Sequence, residues 1–142
     1  TFMSNLTKIL YFKTAIGPEI LTICQYTTHQ FIYPSPINQT INYILEKHQR
    51  SHKVQLGQSK RILKIKKLVP IYIDYQTTIF PVKPQRSPIQ YYINACTING
   101  LKSKGSSTII YFDNGTFITV DAPYIFIYKK WQESLTLSHL LS

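Results

Sequence analysis

The chain has 142 residues, 44% of them hydrophobic, and its 16 Lys and Arg against 6 Asp and Glu give a formal net charge of +10. That length and apolar content exclude a disordered tail and suit one compact domain, 1–142, with its own core. Ten basic residues lie between Lys47 and Arg86 against one acid, Asp74, a self-repelling excess that fits nucleic acid better than a small acidic metabolite.

The opening residues carry Phe2, Leu6, Ile9, Leu10, Tyr11 and Phe12. Gly17-Pro18 then marks a turn before Glu19 to Tyr33, a run rich in β-branched and aromatic types. Two strands or a hairpin fit both. Pro34-Ser35-Pro36 stops that run and predicts a helix over about 36–52, with Ser35 as its cap and Pro36 at the first helical position. Ile37, Ile41, Ile44, Leu45 and His48 recur at helical spacing and form a stripe that packs on a sheet. Lys47, Arg50 and Lys53 fall in its last turns, where cations suit the negative end of the helix dipole. Gly57 is read as a terminator or turn residue after it.

From Gln58 to Pro70 the pattern alternates, with Leu63, Ile65 and Val69 on one face and Lys64 and Lys66 on the other, which predicts a basic strand on a buried sheet. Pro70 to Tyr75 and Thr77 to Val82 read as two further strands around an Asp74-Tyr75-Gln76 turn. Pro81, Pro84 and Pro88 break the pattern, leaving an irregular loop over 82–88 that carries Lys83 and Arg86. Tyr91 to Ile98 resumes as strand, and 99–107, with Gly100, Lys102, Lys104 and Gly105, reads as a polar loop. Thr108 to Phe112 and Thr116 to Val120 flank Asp113-Asn114-Gly115 and predict a hairpin in which Asn114 and Gly115 both take positive φ. Asp121-Ala122-Pro123 offers a cap and a helix-start proline to a C-terminal helix through Tyr124, Tyr128, Trp131 and Leu135 to about His139. The fold class is therefore α+β: a mainly antiparallel β-sheet with a central helix and a C-terminal helix.

The six acids are scattered over different elements and no carboxylate pair stands out, so the chain is read as non-enzymatic. His48 and His52 suit a metal only if a third ligand approaches, and an ordinary solvated pair is the preferred reading; neither metal nor cofactor is expected. Gly57-Gln58-Ser59-Lys60 resembles part of a phosphate loop but lacks its upstream glycine. Cys24 and Cys96 lie in apolar runs as small buried thiols, with their pairing left open. No leader pattern and no bilayer-length apolar run is seen, which points to the cytoplasm. The eleven Tyr read as core and cross-strand residues, with stacking on unpaired bases as the alternative.

Several short motifs occur in a telling order: Ile44-Leu45-Glu46-Lys47-His48-Gln49, Gly57, Lys66-Lys67-Leu68-Val69-Pro70, Ile79-Phe80-Pro81, Tyr92-Ile93-Asn94 and Phe112-Asp113-Asn114-Gly115. In that order and spacing the chain resembles the ComK competence transcription factors. It departs from their pattern where a cysteine is replaced by His48 or Gln49, a glycine by Lys53 and a tryptophan by Tyr92. It also ends soon after Trp131, without the C-terminal extension through which an adaptor directs those proteins to proteolysis, so that control is expected to be absent. The resemblance implies a cytoplasmic, self-associating regulator that binds AT-rich duplex DNA through the minor groove and activates DNA-uptake genes. A short member of this kind is also a candidate for controlling other genes or antagonising a full-length relative.

The DNA-binding residues expected from charge are Lys47, Arg50, Lys53, Lys60, Arg61, Lys64, Lys66 and Lys67, with Lys102 and Lys104 as a secondary loop contact. Their role is to anchor phosphates, with Arg50 or Arg61 suited to a narrow minor groove. The enzyme reading comes last, and two others stand beside duplex binding: a module that pairs with an acidic partner, another regulator or the transcription machinery, and a single-stranded DNA or RNA binder using Tyr91, Tyr92 or Tyr111.

Overall fold

The computed structural model describes residues 7–83 and 88–142. The order of elements is β1 (Ile9–Ile16), β2 (Ile20–Tyr26), β3 (Gln30–Tyr33), α1 (Ile37–Lys47), α2 (His52–Leu63), β4 (Ile71–Asp74), β5 (Thr77–Val82), β6 (Tyr91–Asn94), β7 (Ile98–Lys104), β8 (Ser107–Phe112), β9 (Phe117–Val120) and α3 (Tyr124–Leu141), with a short 3-10 turn at Ala95–Thr97. The first six strands form one antiparallel sheet in the order β3-β2-β1-β6-β5-β4, and β7-β8-β9 form a second. The fold is α+β, as the alternation of strand and helix patterns implied.

The large sheet has a core on each face. One contains Phe12, Cys24, Ile71, Ile73 and Ile79 under the α1 stripe of Ile37, Ile41, Ile44 and Leu45. The other sets Leu10, Phe80, Val82 and Ile93 against Ile110, Phe112 and Val120 of the small sheet and Ile127 of α3. Strict alternation would send Leu10 and Phe12 to the same side. The β1–β2 register slips between Ile9 and Tyr11, and this bulge turns Leu10 toward the second core while Phe12 keeps to the first.

Several local expectations are corrected. The first helix ends at Lys47, because Gln49 takes φ 56° and the chain turns. The basic strand is a helix: Gln58 to Leu63 belong to α2, and Gly57 is interior to it rather than terminal. Residues 98–104 are strand β7, whose pairing with β8 overrides a polar, glycine-bearing sequence. The strand expected over 91–98 is cut at Asn94, whose side chain accepts from the Cys96 N–H and starts the 3-10 turn. Pro81 is tolerated within β5 because it pairs with Tyr92 on one side while β4 begins only at Ile71, opposite Ile79.

The Asn-Gly hairpin is present, with a different turn. Only Gly115 has positive φ; its N–H and the Phe112 N–H close a three-residue loop with the Phe112 and Thr116 carbonyls, and Asn114 accepts from Thr116. Neither Ser35 nor Asp121 caps a helix, since Pro36 and Pro123 occupy those positions; Ser35 instead pairs its hydroxyl with Thr40. The expected loop residues Pro84 to Ser87, Arg86 included, lie outside the described residues.

Candidate nucleic-acid interface

Helix α2 starts where Ser51 accepts a 3.4 Å hydrogen bond from the Val54 N–H. Its inner face is polar: Gln55 and Ser59 are the buried residues, and among the described residues Gln55 Oε1 and Ser59 Oγ have no hydrogen-bond partner. Leu56 is the α2 side chain that joins the α1 core. The outer face carries exposed Lys53, Lys60 and Arg61. A Cβ on Gly57 would lie 3.6 Å from Arg61 Nη1, an ordinary contact distance, so the guanidinium passes close over this glycine.

Both ends of α2 are set by left-handed backbone. Gln49, Lys64 and Leu68 are the non-glycine residues with positive φ among those described, and they bracket α2 on the N-terminal side and through the link to β4. Each costs roughly 1–2 kcal/mol relative to right-handed backbone. At Lys64, which closes the helix with φ 56° and ψ 41°, the effect is to project a lysine from a sharp corner where glycine is the usual choice.

The expected contact residues divide into groups. Lys60, Arg61, Lys64, Lys66 and Lys67 are all exposed at the C-terminal end of α2 and in the link that follows. Leu68 of that link, Lys83 after β5, and Ser106 at the β7–β8 turn line one cleft of about 400 Å³, together with Asp121, Pro123 and Phe126 at the start of α3. Lys102 and Lys104 are exposed on β7, opposite Ile109 and Ser107 of β8, and do not line this cleft. Lys83 was not among the expected contacts, although its place in the run of ten basic residues was visible.

The other cations stand apart. Lys53 lies in the first turn of α2, about 10 Å along the axis from Lys60 at 1.5 Å per residue, so the favourable dipole expected for it has the opposite sign. Lys47 lies over the Tyr43 ring at 5.5 Å. Arg50 is committed to the fold: its Nε donates to the Ile73 carbonyl at 2.7 Å and its guanidinium sits 5.0 Å from the centre of the Tyr72 ring. It ties the α1–α2 link to β4, which leaves Arg61 as the exposed arginine of the set. Among the described residues, no ion pair joins any of these cations to a carboxylate.

Other titratable groups have structural partners. His48 Nδ1 lies 2.9 Å from the Ile44 carbonyl and its Nε2 lies 3.2 Å from Asp74 Oδ2, so it faces β4 and not His52. No cluster of three or more metal-ligating side chains occurs among the described residues. Cys24 and Cys96 are free thiols, and burial pushes Cys24 up to about 12. Tyr91 packs on Tyr11 at 5.9 Å and Tyr111 on Phe117 at 5.8 Å, while Tyr92 joins the α1 core; burial raises the pKa of Tyr91 and Tyr92. No described helix is long and apolar enough to cross a membrane.

A family model described as ComK protein matches residues 3–141, nearly the whole chain. The chain belongs to the ComK family. No curated protein and no solved structure matches it. ComK proteins are competence transcription factors, a family of regulators and not of enzymes. The ComK-like motifs frame α2: Ile44 to Gln49 is the end of α1, Gly57 lies inside α2, Lys66 to Pro70 leads into β4, and Ile79 to Pro81 and Tyr92 to Asn94 form β5 and β6. Asn94 joins these parts. Its Nδ2 donates to the Ile9 and Gln76 carbonyls at 2.7 and 3.0 Å, and its Oδ1 accepts from the Thr78 and Cys96 N–H groups, each at 3.1 Å.

Proposed function

We propose that this ComK-family chain is a cytoplasmic regulator that binds AT-rich duplex DNA and controls competence or related genes as a self-associating protein. The observation that carries the reading is the group Lys60, Arg61, Lys64, Lys66 and Lys67, exposed, without carboxylate partners, and presented from a link with left-handed corners. Each of these cations that meets a phosphate releases counterions, which gives affinity without reading sequence. Arg61 is the guanidinium for a narrow minor groove, whose width and negative potential favour A·T tracts. Lys83, which lines the cleft beside Leu68, and Lys102 and Lys104 of β7 are the secondary contacts.

Duplex is favoured over single strand because Tyr91, Tyr92 and Tyr111 already stack or pack within the protein. A module that pairs with another regulator or the transcription machinery is the second reading, favoured by the exposed apolar residues of β3. A mobility-shift comparison of AT-rich duplex, GC-rich duplex and single strand separates them. The expected order of affinity is AT-rich, then GC-rich, then single strand, with all binding falling steeply with salt. Preference for the single strand, or no binding at low salt, overturns the duplex reading.

A further inference from the structure

We propose that the outer edge of β3 docks a second copy of this chain, by antiparallel strand pairing about a twofold axis beside Phe31. This deepens the self-association in the reading above by giving it a surface, and it is testable without DNA. Strand β3 ends the six-stranded sheet and, among the described residues, pairs only with β2.

The register follows from the hydrogen bonds. The Tyr26 N–H donates to the His29 carbonyl at 2.7 Å, which makes positions 26 and 29 a bonded pair. Bonded and unbonded pairs alternate in an antiparallel ladder, so Phe31 opposite Cys24 and Tyr33 opposite Thr22 turn their backbone groups toward β2. Gln30 and Ile32 therefore direct N–H and C=O outward. A strand added there must match outward residues to outward residues. A twofold axis at Ile32 would set Gln30 against Pro34, which has no N–H, and one at Gln30 would run past the start of the strand, so the fullest ladder sets Gln30 against Ile32 of the second copy and Phe31 against its own counterpart.

Side-chain chemistry agrees with that arrangement. Phe31 and Ile32 are each 52% exposed although they occupy a sheet edge. Phe31 meets Tyr33 edge-on at 4.7 Å, Tyr33 meets Tyr43 at 6.1 Å, and these rings line a groove with Pro34, Gln39 and Lys47. A second Phe31 on the axis extends this aromatic group. Charge selects the occupant. Two chains of +10 repel wherever basic surfaces meet, yet no Lys, Arg, Asp or Glu occurs between Glu19 and Glu46, the stretch that contains β3. An edge strand is commonly guarded by lysine, and here that guard is missing within the strand. Lys47 of α1 lines the groove beside the edge, but β3 itself carries no charge, and a neutral, apolar strand suits a second one better than it suits an acidic peptide.

The test is sedimentation equilibrium with the whole chain and no DNA, together with oxidative cross-linking. Wild type is expected to dimerise with concentration, at least as strongly at high salt as at low because salt screens the repulsion between two cationic chains, and Phe31→Lys to weaken dimerisation at least tenfold. Unbonded antiparallel pairs bring Cα atoms to about 4.5 Å, within disulfide range. Phe31→Cys is therefore expected to form a covalent dimer under mild oxidant, faster than wild type and faster than Ile32→Cys. A strictly monomeric wild type, or cross-linking at position 32 in preference to 31, overturns the proposal. Loss of DNA binding with the dimer retained would instead sink the duplex reading.

Discussion

Helices α1 and α2 are neighbours of nearly equal length, 11 and 12 residues, yet the side chains they bury are opposite in kind. Helix α1 commits Ile37, Ile41, Ile44 and Leu45 to the sheet, whereas α2 buries Gln55 and Ser59 and leaves two of their polar atoms without partners. Helix α1 is a structural element with one cation in its last turn. Helix α2 joins the core through Leu56, is preceded by the link that Arg50 ties to β4, and with the link that follows it presents six exposed cations, Lys53, Lys60, Arg61, Lys64, Lys66 and Lys67. The lesson is that apolar burial and exposed positive charge are separated between the two helices.

The largest effect is expected from Leu45→Ala, which removes a fully buried side chain beneath α1. It should cost about 2–5 kcal/mol in urea unfolding. The same variant, where folded, should keep the wild-type salt slope for duplex DNA; a changed slope would break the division between the two helices. Next comes the pair Lys64→Gln and Lys66→Gln, expected to leave the unfolding midpoint nearly unchanged. Binding should weaken equally for AT-rich and GC-rich duplexes, and the slope of log K against log salt should fall by about 2, roughly 1 per phosphate contact. Unchanged isotherms remove the α2 link from the interface.

A smaller gain is expected from Ser59→Ala. Deleting a buried hydroxyl with no partner and improving helix propensity should stabilise the protein by about 1 kcal/mol, with slower amide exchange in α2 as the direct readout. Loss of stability would mean that Ser59 has a partner the present packing does not give it. The smallest effect is Lys64→Gly. Relief of the left-handed lysine is offset by added freedom in the unfolded chain, for a net gain of about 0.5 kcal/mol, while DNA affinity falls by one contact.

These contrasts also explain what the sequence made legible. The α1 stripe and the hairpin around Gly115 are local patterns, repeated within a few residues, so periodicity and turn chemistry found them. Helix α2 was missed because its buried face is Gln55 and Ser59, which no apolar periodicity marks, and because Leu63, Ile65 and Val69 happen to alternate across its end. Ser51, three residues before Val54, was the available signal for a cap. Strand β7 was missed because its state is decided by β8, up to fourteen residues away at Phe112 opposite Ile98, while Gly100, Lys102 and Lys104 locally favour a loop. In the site, charge counting singled out the exposed group from Lys60 to Lys67. It did not distinguish Arg50, whose partners Ile73 and Tyr72 are distant in sequence, and it left Lys83 out for the same reason.

The amide of Asn94 gives the sheet one position with a single admissible spelling. Aspartate offers no N–H to the Ile9 and Gln76 carbonyls, leucine meets none of the four groups, and glutamine sets the same amide one methylene too far out. Invariance there across an alignment of relatives would record the demands of assembly, and a reader searching such an alignment for DNA contacts would do well to discount it.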